Sequence, residues 1–83
     1  MSKEELRIAV NAEAVAPGSM RRVILGWKNH GASQRAVYEL CEELRNELEH
    51  TSDRATYDRM LELMDTVGGY CPPRERVWDT QLV

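Results

Sequence analysis

The chain has 83 residues, of which 42% are hydrophobic and 30% charged, and its formal net charge is −3. A chain of this length forms one small domain, and its core is limited because short chains bury a smaller share of their surface. No run of about 18 apolar residues is present, so the sequence predicts no membrane-spanning helix. The N-terminal Met-Ser-Lys-Glu-Glu lacks the apolar stretch of a secretory signal, and we expect a cytoplasmic protein, of a cell or of a host cell.

Charge is distributed unevenly along the chain. Residues 1–38 hold six Lys and Arg against three Glu, whereas residues 39–83 hold five Arg against eleven Asp and Glu. The simplest interpretation is two solvated faces of opposite sign. The alternative is that the two faces contact different partners, or that one copy docks on another as a homodimer.

The first predicted element is a helix over about residues 3–15. Ser2 followed by Glu5 forms a capping box, which is typical of a helix start. Every second residue from 6 to 10 is apolar, which is also a strand pattern, but the alanines of this segment favour helix. Pro17-Gly18 would end it. The residues that would share its buried face are Leu6, Ala9 and Val10.

Two further helices are predicted on either side of Gly31. Ser19 would cap a helix from Met20 to Asn29 or His30, and Ser33 would cap one from Gln34 to about His50. Gly31 supplies the left-handed conformation at which helices commonly end. About three residues connect the two helices, so they would form a tight αα corner or hairpin. Their apolar stripes are Met20, Val23, Ile24 and Trp27 in the first helix, and Val37, Leu40, Cys41, Leu44 and Leu48 in the second.

A fourth helix is predicted over residues 53–66, with Thr51 or Ser52 as its cap and Gly68-Gly69 as its end. Its stripe consists of Tyr57, Met60, Leu61, Met64 and Val67. The sequence therefore predicts an all-α fold, a small bundle of three or four helices over residues 1–67. Residues 68–83 contain Pro72-Pro73 and no early helical period, and we expect an irregular, extended tail whose apolar side chains cover the core. The alternative is a free tail that becomes ordered on a partner.

No catalytic, metal-binding or cofactor-binding motif is recognisable. Cys41, Cys71, His30 and His50 are spaced too irregularly for a zinc module. Cys41 lies on an apolar stripe, where a free thiol behaves as a small hydrophobic group, and a reducing compartment needs no Cys41–Cys71 disulfide. We therefore expect a non-enzymatic protein that uses no metal and no cofactor.

The predicted helix over residues 34–50 has an acidic exterior. Carboxylates one turn apart on a helix are about 6 Å from each other, roughly the spacing of successive phosphates along one nucleic-acid strand. Such a face would imitate nucleic acid and occupy the basic channel of a nucleic-acid-handling complex. The alternative is an ordinary solubilising surface. The candidate partner-binding residues, all predicted to be solvated, are Glu39, Glu42, Glu43, Glu47 and Glu49.

Residues 31–37, Gly-Ala-Ser-Gln-Arg-Ala-Val, resemble the turn and the start of the second helix in helix-turn-helix proteins. In that family the start of this helix enters the major groove. The resemblance implies that Gln34 and Arg35 reach base edges, and that nearby basic side chains contact phosphates. Those basic residues are Arg21, Arg22 and Lys28.

The segment departs from the helix-turn-helix pattern upstream, where Trp27 replaces a small residue and His30 replaces an aliphatic one. The acidic residues that follow would also repel phosphates. We therefore predict a small protein-binding regulator or inhibitor that occludes a partner's surface, such as the small acidic helical proteins that phages carry. The alternative is a helix-turn-helix nucleic-acid-binding regulator that uses residues 20–45.

Overall fold

The structure is a computed structural model that describes residues 1–51 and 53–82. Four α-helices and one short 3-10 turn account for its regular structure, and no strand occurs within the described ranges. The all-α prediction is confirmed, and the first segment is a helix although its sequence also alternates as a strand does. The elements are α1 (Lys3–Ala12), α2 (Ser19–Asn29), α3 (Gln34–Thr51), α4 (Arg54–Gly68) and the turn η1 (Pro73–Glu75).

One hydrophobic core joins all four helices. The central helix is α1, which packs against α2, α3 and α4, while α3 packs most extensively on α4. The partner of α2 is chiefly α1, so α2 and α3 meet as a corner and not as an antiparallel hairpin. The largest completely buried side chains come from every predicted stripe: Leu6, Val10, Ile24, Val37, Cys41, Leu44, Met60 and Val67.

The starts of α1 and α3 agree with the sequence. The Ser2 hydroxyl oxygen accepts a hydrogen bond from the Glu5 amide at 3.2 Å, and the Ser33 hydroxyl oxygen accepts one from the Ala36 amide at 3.1 Å. Each bond satisfies one of the amide groups that a helix start leaves unpaired. Gly31 has φ 95°, the left-handed conformation predicted between α2 and α3.

The start of α2 differs from the prediction that Ser19 caps it. Gly18, with φ 94°, occupies the cap position, and Ser19 is the first residue of the helix. The Glu13 carboxylate accepts hydrogen bonds from the amides of Gly18 at 2.8 Å and Met20 at 2.9 Å. These bonds, the Met20 bond first, hold the pKa of Glu13 below its ordinary value. A carboxylate is well suited to this place because the exposed amides of a helix start favour negative charge.

The start of α4 also differs from the prediction. Thr51 still belongs to α3, and its hydroxyl donates a hydrogen bond to the Glu47 carbonyl at 2.8 Å. Asp53 is the cap, since its carboxylate accepts a hydrogen bond from the Thr56 amide at 2.8 Å. That amide lowers the pKa of Asp53. The other predicted cap, Ser52, lies outside the described residues.

The segment after α4, residues 70–82, folds back over the helices and is called the C-terminal segment below. Val77 is buried with 4% of its surface exposed, and Trp78 packs beside the core. The Leu82 amide donates a hydrogen bond to the Gly68 carbonyl at 2.9 Å, which returns the segment to the end of α4.

Gly69 makes this return geometrically feasible. It ends α4 with φ 82°, in the left-handed region that favours glycine. A Cβ atom at this position would lie 2.6 Å from the Thr80 carbonyl oxygen and 2.9 Å from the Gln81 Cα atom, both main-chain atoms. A side chain at position 69 would therefore push the C-terminal segment away from α4.

Candidate functional site

The acidic face of α3 is the first of two candidate surfaces. Glu39, Glu43 and Glu49 are exposed, and Glu42 is half-buried beside them. All four lie on the side of α3 opposite its buried stripe. None of these four carboxylates forms an ion pair within residues 1–51 and 53–82. Their charge is therefore available to an external group.

Glu47, the fifth predicted acidic residue, is not freely solvated. Its carboxylate lies 2.6 Å from the Lys3 ammonium and 2.7 Å from the Arg7 guanidinium, both of which belong to α1. The bond to Lys3 lowers the pKa of Glu47, and the same bond raises the pKa of Lys3. Arg7 also pairs with Glu4 at 2.8 Å. Glu47 therefore links α3 to α1 within the fold.

The structure adds an acidic surface on α4 that the sequence analysis did not single out. Glu62 and Asp65 line a surface cleft of about 420 Å³, and Glu75 reaches the same cleft from η1. Asp58, one turn before Glu62, pairs with Arg54 at 3.0 Å. The acids of α4 are spaced by three or four residues, which is typical of one helix face. This spacing could have predicted the acidic surface of α4 from the sequence. The participation of Glu75 depends on the return of the chain and has no sequence signal.

The second candidate surface is the basic corner, defined here as Arg21, Arg22, Lys28, Gln34 and Arg35. Three of these side chains bind the C-terminal segment. Arg21 donates to the carbonyl oxygen of residue 75 at 2.8 Å, Lys28 to that of residue 77 at 2.6 Å, and Gln34 to that of residue 80 at 2.7 Å. Gln34 additionally donates to the carbonyl oxygen of residue 67 at 2.8 Å.

These contacts affect the helix-turn-helix interpretation. Gln34 is directed toward the C-terminal segment, and Lys28 lies 6.0 Å from the ring centre of Trp78. Arg22, at the same corner, is exposed and makes no hydrogen bond to residues 70–82. For Arg21, Lys28 and Gln34 to reach a nucleic acid, the C-terminal segment would first have to leave.

Thiol and metal chemistry has little support in the described part of the chain. Cys41 is completely buried, and burial raises the pKa of its thiol to about 12. A thiol of that pKa is not a nucleophile near neutral pH, because the thiolate is the reactive form. Cys71 is partly exposed, and both cysteines are free. No group of three or more His, Cys, Asp and Glu residues is placed to hold a metal ion within residues 1–51 and 53–82.

None of the described helices combines the length and hydrophobicity needed to cross a bilayer. The chain matches no protein-family model, and neither the curated proteins nor the solved structures contain a significant match to it. Fold and surface chemistry are therefore the grounds for the function that follows.

Proposed function

We propose that this chain is a small, non-enzymatic protein-binding regulator or inhibitor that covers a basic surface of its partner with α3. The observation that supports the proposal is the contrast on one helix between Glu47 and the other four acids. Glu47 already has two basic partners in α1, whereas Glu39, Glu42, Glu43 and Glu49 have none among the described residues. A basic group on a partner would supply the ion pairs that these four carboxylates lack among the described residues.

The dimensions of the face suit a nucleic-acid-binding surface of a partner protein. With a rise of 1.5 Å per residue, the ten steps from Glu39 to Glu49 span roughly 15 Å of helix. Carboxylates one turn apart are about 6 Å from each other, so Glu39 and Glu43 are spaced much like neighbouring phosphates. The partner chemistry that fits is a groove or channel rich in Lys and Arg, which binds nucleic acid when this protein is absent.

The test compares two variants of equal charge. In the first, Glu39, Glu42, Glu43 and Glu49 are each replaced by Gln; in the control, Asp58→Asn, Glu62→Gln, Asp65→Asn and Asp79→Asn remove four charges elsewhere. Wild-type protein captures partners from a nuclease-treated lysate, and the captured protein is then purified for binding titrations.

We expect the α3 variant to lose most of the affinity for the purified partner and the control variant to retain it. Duplex DNA should compete with the wild-type chain for that partner. Equal binding by both variants would contradict a role for the α3 face. Tight, salt-dependent binding of duplex DNA by the wild-type chain alone would favour the helix-turn-helix alternative.

A further inference from the structure

The helices hold the C-terminal segment mainly through its main chain. Arg21, Lys28 and Gln34 all donate hydrogen bonds to main-chain carbonyl oxygens, those of residues 75, 77 and 80. A main-chain carbonyl is present in every residue, so these three bonds recognise the course of the main chain and not particular side chains. Selectivity for this segment comes from Val77, which is buried, from Trp78, which packs beside the core, and from the Thr80 hydroxyl, which donates a hydrogen bond to Gln34 at 3.1 Å.

The surface that holds the segment belongs entirely to the helices. Arg21 and Lys28 project from α2, and Gln34 is the first residue of α3. Together they form one side of a docking groove, which we call the segment groove. It runs along α2 to the start of α3. Its occupant is an irregular chain, a 3-10 turn followed by bends, in which a β-branched residue precedes an aromatic residue.

The connection between the helices and the occupant is short and contains few apolar contacts. Residues 69–73 contain Gly69, in the left-handed conformation, and Pro72-Pro73, and within this stretch no side chain is completely buried. A change of the main-chain dihedral angles at Gly69 would redirect the whole segment without disturbing the four helices.

We propose that the segment groove accepts the C-terminal segment of a second copy of this chain in place of its own, so that two chains are linked by exchange. A second copy carries an identical segment, so the complementarity already present within one chain applies equally between two. Exchange of an identical element is a low-cost route to a dimer. The exchange does not involve the acidic face of α3, so it is independent of the proposed function.

The connection formed by residues 69–73 sets the protein concentration at which exchange between chains becomes detectable. A short flexible connection gives the attached segment an effective concentration on the order of 1 mM. If the docked form outnumbers the open form by about ten to one, the segment of another chain binds with a Kd of roughly 0.1 mM or tighter. Wild-type protein is therefore monomeric at micromolar concentration, because its own segment competes.

Two variants separate the groove from its occupant. The groove variant, Arg21→Ala with Lys28→Ala and Gln34→Ala, keeps an intact segment but loses all three donors. The segment variant, Val77→Asp, keeps the donors but places a charge where an apolar side chain is buried. Neither variant has both parts of the contact, whereas a mixture of the two provides one complete contact.

At about 0.5 mM of each variant, above the Kd of roughly 0.1 mM, we expect sedimentation equilibrium of the undiluted mixture to show a species of twice the 9.5 kDa chain mass. Each variant alone should sediment as a monomer. In the matched control, Arg22→Ala with Arg74→Ala replaces the groove variant, since neither Arg22 nor Arg74 side chain makes a hydrogen bond to residues 75–82. This control still holds its own segment, so it should form much less dimer with Val77→Asp than the groove variant does.

Circular dichroism establishes that each variant keeps its helices, and Trp78→Ala replaces Val77→Asp if the latter unfolds. A mixture that stays monomeric while both variants are helical would overturn the proposal. A free peptide of residues 70–82 that binds the Val77→Asp variant, without any dimer in the mixture, would also overturn it. In that case the groove accepts a separate peptide and not a second copy.

Discussion

The outer face of α3 and the basic corner of α2 and α3 carry similar numbers of charged or polar side chains, yet those side chains are used differently. On α3, four of five predicted carboxylates have no ion-pair partner in the described chain. At the basic corner, Arg21, Lys28 and Gln34 already bind carbonyl oxygens of the C-terminal segment. A charged patch predicted from sequence is therefore available for binding only where the fold leaves its side chains unpaired.

The first prediction compares the inner face of α3 with its outer face, and it concerns the greatest loss of stability. Leu44 is completely buried in the middle of the stripe, so Leu44→Ala removes packed atoms and leaves a cavity. We expect the free energy of unfolding to fall by about 2–4 kcal/mol, measured by urea denaturation followed by circular dichroism. The control is Glu43→Ala on the exposed face, which should leave the urea midpoint nearly unchanged. Similar losses for both variants would contradict the assignment of the two faces.

The second prediction concerns the basic corner, where we expect an intermediate loss. Gln34→Ala removes three hydrogen bonds: two that it donates, to the carbonyl oxygens of residues 67 and 80, and one that it accepts from the Thr80 hydroxyl. A net contribution of about 0.5–1 kcal/mol per bond at this partly exposed site gives a loss of about 1.5–3 kcal/mol in the free energy of unfolding. Arg22→Ala, at the same corner but not bonded to the segment, should cost less than about 0.5 kcal/mol. If the two substitutions cost the same, the corner is a free basic surface after all.

The third prediction uses pH to distinguish paired from unpaired carboxylates. The folded-state pKa of Glu13 and of Glu47 is lowered, the first by the Met20 and Gly18 amides and the second by Lys3. The stability that these two carboxylates contribute is present above pH 4.5, the ordinary pKa of glutamate. It is lost as the pH falls through their lowered pKa in the folded state.

Thermal melts from pH 7 to pH 3 should therefore show falling stability that starts near pH 4.5. Glu13→Gln and Glu47→Gln should each start from a lower melting temperature at pH 7 and show a weaker decline in acid. Glu39→Gln, which removes an unpaired carboxylate, should follow the wild-type curve. A Glu47→Gln curve that matches wild type throughout would show that the bond to Lys3 adds no stability.

The helices could be predicted from the sequence, and the uses of their polar side chains could not. Local periodicity was enough to identify the stripes of α1, α2 and α3, because one face of each helix meets the same core. In α4 it predicted Leu61 as a core residue, whereas Leu63 is the leucine that is buried. The cap of α2 could not be predicted: Ser19 has the preferred residue type, but the turn at Gly18 brings the Glu13 carboxylate onto the same amides. This competition is decided by the geometry of the turn.

The same limit applies to the candidate surfaces. The exposure of Glu39, Glu43 and Glu49 follows from their position on a helix whose opposite face is apolar, so it could be predicted. The ion pairs of Glu47 depend on how α1 crosses α3, and the bond of Gln34 to residue 80 depends on a segment more than 40 residues later in the chain. Contacts between distant segments have no local pattern to reveal them.

The smallest expected effect on stability belongs to the variant with Glu39, Glu42, Glu43 and Glu49 each replaced by Gln. Like charges one turn apart on a helix repel, so their removal should leave the melting temperature unchanged or slightly higher. Glu47 is excluded from this variant because its loss would break the pairs with Lys3 and Arg7 and mix a folding effect with a binding effect.

Against a basic partner, the same variant should instead associate more slowly, since complementary exposed charges act mainly through the rate of encounter. The difference from wild type should shrink at several hundred millimolar salt, where the screening length drops to a few ångströms, below the ~8 Å of physiological salt. Stopped-flow measurements at low and high salt give the association rate and its dependence on salt. The matched control is the variant that removes four charges from α4 and the C-terminal segment. If the α3 variant and the control lose association rate equally, total charge drives the encounter and the α3 face has no special role. If only the α3 variant slows, and only at low salt, the unpaired carboxylates of α3 are the surface that the partner meets first.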